Sequence, residues 1–264
     1  MITVNETEHG LVPMPMSDDM PAENPVAEPM SGAYEAAPVF IVCSPRPRVG
    51  KTLVARLVLD FHLYTGRPVI PFDANPNDPV LSDFFESESV SVTDTRGQME
   101  LFDQLILADG IAKVIDVASD QFETFFEVMH QIDFAGEAER AGIPIVVLYL
   151  AEDHVRSAEG YRNLVDRFPE VTLVPVHNEL VESYNEQVMP HPPVSAPPIH
   201  IPPLPPYLDG VVRRRGFSFA HHLRRTSGEP TQLDRWATRP FVALHDLRLR
   251  LSLNELAPLL DNAA

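Results

Sequence analysis

The sequence predicts an α/β fold, a mostly parallel sheet with helices on both faces. Three observations carry that expectation. Short apolar runs of strand length recur at 39–43, 69–72, 111–115, 143–150 and 171–176. Segments with apolar residues at helical spacing lie between them; the clearest has Val54, Leu57, Val58 and Phe61 on one face. The strict alternation of the two types is the pattern of a parallel sheet, because parallel strands need crossover helices.

Taken in order, 39–43 reads as a buried strand and 52–64 as a helix that stops at Gly66. A second strand follows at 69–72, where Pro71 is awkward for a central position because it has no amide to give a neighbour. Helices are expected over 98–108, 122–134 and 157–168, with strands at 111–115, 143–150 and 171–176. Nine prolines crowd residues 190–206, which reads either as a polyproline-like linker or as an irregular crossover enclosing a short strand at 199–201. Helices over 217–225 and 241–251 complete the chain. The expected organisation is a disordered acidic tail over 1–37, a main domain over 38–189, a Pro-rich segment over 190–207 and a helical extension over 208–264.

Composition narrows the function. A hydrophobic share of 44% over 264 residues is enough for a real core. The longest apolar runs, such as 145–150, are far too short to span a bilayer, and no basic-then-apolar leader opens the chain. Cys43 is the single cysteine, which excludes an intrachain disulfide and fits a cytoplasmic location. A net charge of −18 argues against a surface that coats DNA. The charge is uneven: residues 1–38 hold seven acids and no Lys or Arg, whereas residues 208–264 hold nine arginines against six acids. The Arg213–Arg214–Arg215 run and the Arg224–Arg225 pair fit contact with nucleic acid or an acidic partner, or a solvated helix face. The acidic tail reads first as solubilising, and the two tails are where a protein partner would dock if there is one. Ten histidines form no metal-binding spacing, and no nucleophile elbow is present.

The chemistry concentrates after the first strand, in Ser44-Pro45-Arg46-Pro47-Arg48-Val49-Gly50-Lys51-Thr52. A strand, a loop ending Gly-Lys-Thr and a helix together form a phosphate-binding arrangement. Loop amides and the helix N-terminus face the anion, lysine neutralises it, and the hydroxyl serves magnesium. Pro45 stands where the pattern has its first glycine, and Pro47 has no amide to donate. Arg46 and Arg48 add guanidinium groups that bind phosphate through planar, paired hydrogen bonds.

The stretch from Arg46 to Thr52 resembles the deviant phosphate loop K-G-G-x-G-K-[ST] of ParA/MinD-type ATPases, P-loop proteins of α/β fold. Arg46 occupies the position of the first lysine, while Pro47 and Arg48 replace two glycines. Asp73-Ala74-Asn75-Pro76-Asn77 resembles the family's D-x-D-P-Q, with Asn75 at the second acid. Residues 111–116 resemble an apolar strand ended by aspartate, interrupted here by Lys113. Residues 174–178 are similar to the late strand whose terminal asparagine contacts adenine. The likeness covers about residues 39–180.

The resemblance implies ATP and Mg2+ as ligands and a homodimer formed around nucleotide. Arg46, Arg48, Val49, Gly50, Lys51 and Thr52 would surround the phosphates, and Arg46 would reach across the dimer. Thr52 would hold magnesium and Asp116 would hold it through water, Asp73 would help orient the attacking water or the magnesium shell, and Asn178 would meet the base. Asp73 and Asp116 are equally the residues that strand-end turns use. The implied function is an ATP-dependent dimerising switch in DNA partition, conjugative transfer or cellular positioning. Pro45, Pro47, Arg48 and Asn75 favour a second reading, a non-hydrolysing adaptor of the same fold. A small-molecule kinase is the third, and the D-x-N-P segment speaks against it.

Overall fold

Five of the strands are short apolar runs because both of their faces are covered, and burial then favours branched residues at every position. In the computed structural model, which describes residues 37–75, 77–181 and 196–261 with side chains to 253, β1 (Val39–Cys43) is buried along its whole length. It pairs in parallel with β4 (Ala112–Val117) on one side and β5 (Ile145–Leu150) on the other. β2 (Val69–Ala74) lies outside β4, and the two-residue β3 (Glu88–Ser89) forms that edge. Beyond β5 come β6 (Thr172–Asn178) and β7 (Ile199–Ile201). All seven strands are parallel, in the order β3-β2-β4-β1-β5-β6-β7.

Helices cover both faces. Behind one lie α2 (Thr95–Leu105), α3 (Phe122–Gln131), α4 (Phe134–Arg140) and α5 (Val155–Arg167), whose Leu101, Phe125, Ala138 and Tyr161 are buried with Ile41, Ile115 and Val147. The opposite face is covered by α1 (Lys51–Tyr64), α6 (Pro206–Val212), α7 (Phe219–Arg225) and α8 (Gln232–Asp261). Leu57, Phe219 and Trp236 pack there against Val42, Val114 and Leu148. Among the described residues no helix is long and apolar enough to cross a membrane.

Local chemistry explains where the elements depart from the sequence pattern. Pro71 lies inside β2 at no cost to the sheet. The Asp73 carbonyl accepts from Val90 on the β3 side, so by alternation Pro71 faces the same side. β3 pairs only from Phe72 onward, so Pro71 has no strand beside it to bond. Lys113 interrupts an apolar run because its ammonium escapes the sheet: it reaches the Leu107 carbonyl and Asp109, each at 2.6 Å, while the stem stays buried.

The expected helix over 122–134 is instead two. Asp133 adopts φ 51°, a left-handed conformation that ends α3 and opens α4. α2 begins earlier than periodicity suggests because the Asp94 side chain accepts the Gly97 amide at 2.9 Å and caps the helix. α8 is far longer than 241–251 and runs through Pro240, which removes the bond to Trp236 without ending the helix. One buried stripe of Leu233, Trp236, Ala237, Phe241, Leu244, Leu247 and Leu251 holds it to the sheet. Of the organisation expected at the termini, residues 1–36 and the start of the Pro-rich segment lie outside the described residues.

Candidate functional site

The strand order creates a crevice. From β1 the chain leaves through α1 on one face toward β2; from β4 it leaves through α3 and α4 on the other toward β5. β1 and β4 are neighbours, so their outgoing connections diverge, and ligands of open α/β sheets bind at such a switch point. The loop 44–50 lies there, at the carboxyl ends of the strands.

The loop is anchored from below. Ser44 is fully buried and its hydroxyl accepts the Arg46 amide at 3.3 Å. Pro45 is buried against α5. A Cβ on Gly160 would come within 3.2 Å of the Pro45 ring and 2.9 Å of the Tyr149 hydroxyl, so α5 carries glycine where the loop crosses it. Arg48 is exposed and holds φ 62°, a left-handed conformation costing a non-glycine residue on the order of 1 kcal/mol. Gly50 follows at φ 99° as the N-cap of α1. The first helical amide with a partner is that of Val54, bonded to the Gly50 carbonyl. The amides of Lys51, Thr52 and Leu53 therefore form the open N-terminus of α1. The prolines and the engaged Arg46 amide reduce the loop's own donors, and what remains is the few amides nearest the helix, that of Gly50 among them, with the helix end and three cationic side chains.

Lys51 is turned into the loop, where its ammonium donates to the Arg46 carbonyl at 3.0 Å. Burial lowers its pKa, opposed by Asp116, Asp120 and Glu152. Thr52 donates its hydroxyl to Asp116 at 2.6 Å, joining α1 to the end of β4. Asp116 is almost wholly buried, and burial raises its carboxyl to about 6; the neighbouring Asp73 pushes the same way, while the Thr52 bond and Lys51 oppose it. The two acids stand at the same register on adjacent strands.

A hydroxyl and a buried carboxylate at 2.6 Å are oxygens of the kind a hard divalent cation takes, but among the described residues no three His, Cys, Asp or Glu side chains converge on one point. Asp73 is placed differently from Asp116. Its Oδ1 accepts the Asn75 amide at 3.1 Å and its Oδ2 the Leu81 amide at 3.0 Å, so it organises the turn after β2 and the short 3-10 turn Val80–Asp83. Burial raises its carboxyl despite those bonds.

Arg46 pairs with Glu152, Nε to Oε1 at 2.5 Å. Glu152 follows β5, and its amide is held by the buried Ser157 hydroxyl at 3.3 Å. Asn178, at the end of β6, donates to the Val49 carbonyl at 3.0 Å. The structure thus gathers Arg46, Lys51, Thr52, Asp116, Asp73 and Asn178 along one edge of the sheet, with Arg48 exposed on the loop. Glu152 and Asp120 were not foreseen as part of this group. An acid shortly after a buried strand is their only trace in the sequence, and it means nothing until β4 and β5 are known to flank β1. No protein-family model matches the chain, and no curated protein is similar enough to count as its relative.

Proposed function

We propose that this protein binds ATP with Mg2+ at the 44–52 loop and works as a nucleotide-dependent switch of the ParA/MinD kind, dimerising around the nucleotide. The observation that carries the reading is the Thr52–Asp116 pair, held at 2.6 Å across the β1–β4 crevice beside the Lys51 ammonium. That pair offers oxygens for a divalent cation, and the helix N-terminus with Lys51 offers positive charge for the phosphates. Magnesium held by Thr52 and Asp116 would neutralise phosphate charge. Lys51 would exchange the Arg46 carbonyl for a phosphate oxygen, a stronger, charge-assisted bond. Arg46 and Arg48 would take over from the amides that the prolines lack.

A second reading, an adaptor that binds nucleotide without hydrolysing it, is favoured by one specific observation. Both Asp73 oxygens are occupied by main-chain amides, so the acid that would orient water is already committed to a turn. Calorimetry with ATP and Mg2+ tests the main reading. Wild type should bind, and Lys51→Ala should weaken binding by at least tenfold, because a hydrogen bond to a charged group contributes about 1.5–3 kcal/mol. Absence of binding by wild type would remove the nucleotide from the account. Binding without phosphate release would select the adaptor.

A further inference from the structure

The Asn178 carboxamide has two partners, and both belong to the chain. Its Nδ2 donates to the Val49 carbonyl at 3.0 Å and its Oδ1 accepts the Leu180 amide at 3.2 Å. A residue that reads an adenine edge needs donor and acceptor turned side by side toward the ligand. Here one N–H and the carbonyl oxygen are both engaged within the chain, so the carboxamide is oriented by the phosphate loop and by the turn after β6 rather than by a ligand.

The approach is close. A Cβ on Gly50 would stand 2.5 Å from Asn178 Nδ2, so the loop carries glycine at this point for space as well as for its φ of 99°. The bond also sets a direction. Val49 C=O and Gly50 N–H belong to one planar trans peptide and point opposite ways. Drawing the carbonyl toward β6 therefore aims the Gly50 amide away from β6. Gly50 directly precedes Lys51 and the open end of α1.

We propose that Asn178 is a positioning residue that locks the Val49–Gly50 peptide, and through it a loop amide that faces phosphate, and that it does not select the base. This rests on the phosphate-binding reading of the loop. The test compares ATP with inorganic tripolyphosphate, both with Mg2+, on wild type and Asn178→Ala. It is joined by amide hydrogen exchange on the ligand-free proteins. Both ligands should weaken by the same factor, roughly fivefold for one lost hydrogen bond. Exchange of the Val54 amide, which donates to the Gly50 carbonyl, should quicken, with the melting temperature nearly unchanged. Weakened ATP binding with tripolyphosphate untouched would make Asn178 a base reader and overturn the proposal, as would unaltered exchange at Val54. If wild type binds neither ligand, the nucleotide reading falls, and the exchange measurement alone decides whether Asn178 holds the loop.

Discussion

Asp60 and Asp116 are two buried carboxylates, both in contact with groups that α1 organises, yet they are treated in opposite ways. Asp60 lies on α1 itself and accepts the Ser218 hydroxyl, the Phe219 amide at 2.9 Å and the Ala220 amide at 3.3 Å, capping α7. One turn earlier, Arg56 donates to the Val212 carbonyl at 2.9 Å, and its guanidinium lies 3.4 Å from the centre of the Phe84 ring. This end of the fold spends its buried charge on its own main chain. Asp116 receives a single hydrogen bond, from Thr52, and faces a second acid. A buried carboxylate with one donor is expensive, and burial responds by favouring its protonated form. The difference separates a structural joint from the proposed site.

The comparison is broken or sharpened by three measurements. The largest effect is expected at the joint. Asp60→Ala strips the cap from α7 and leaves Arg56 buried without its nearby acid, which should cost roughly 3 kcal/mol of stability. Urea unfolding reads it directly, and a loss below about 1 kcal/mol would mean that Asp60 is no more committed than Asp116.

At the site the sign reverses. Asp116 has its carboxyl raised from 3.8 to about 6, so the neutral form is favoured in the folded state. Its contribution to stability is fully present below pH 4 and is lost as pH rises through about 6. Asp116→Asn, which keeps an acceptor for Thr52, should therefore be as stable as wild type or more so at pH 7.5, by up to about 3 kcal/mol. It should also lose the part of the pH dependence that lies between pH 4 and 6. Thermal melts of both proteins across that range decide the matter. Asparagine should meanwhile abolish Mg2+-dependent nucleotide binding, and a variant that is both unstable and nucleotide-competent would put Asp116 in the same class as Asp60.

The smallest effect concerns Arg46. Its partly exposed pair with Glu152 should contribute only about 1 kcal/mol or less, so Glu152→Gln should barely move the melting temperature. If Arg46 must leave Glu152 to reach nucleotide in a second subunit, Glu152→Gln should promote ATP-dependent dimerisation and Arg46→Ala should abolish it. Sedimentation with and without ATP and Mg2+ follows both variants. Normal dimerisation of Arg46→Ala would confine that residue to its own loop.

Much of the sheet was legible because a strand buried on both faces has little choice of residue. The runs at 39–43, 69–72, 111–115, 143–150 and 171–176 appear as β1, β2, β4, β5 and β6, with ends moved by at most two residues. β3 escaped because its two exposed residues have no apolar signature. The break between α3 and α4 escaped because it depends on the backbone angle of Asp133, which an unbroken apolar pattern conceals. In the site, Gly50-Lys51-Thr52 could be located from its place between strand and helix, and the strand-end acids only through the family resemblance. The partners of Arg46 and Asn178 could not.

By itself the sequence determined the alternation of strand and helix, the loop that follows the first strand and the residue types carried by that loop. Those are local properties, set by apolar period, by proline and glycine, and by the order of residues along the chain. Tertiary structure alone decided which ends meet. Strand order brings Asp116 to Thr52, Glu152 to Arg46 and Asn178 to Val49, over sequence separations of 64, 106 and 129 residues. It also decided that Asp116 would stay short of donors, whereas the bonds of Asp73 are local, to the amides of Asn75 and Leu81 two and eight residues further on. Burial and hydrogen bonding of a carboxylate depend on what packs around it, and Asp116 meets Thr52, Lys51 and Asp73 from segments far away in the chain.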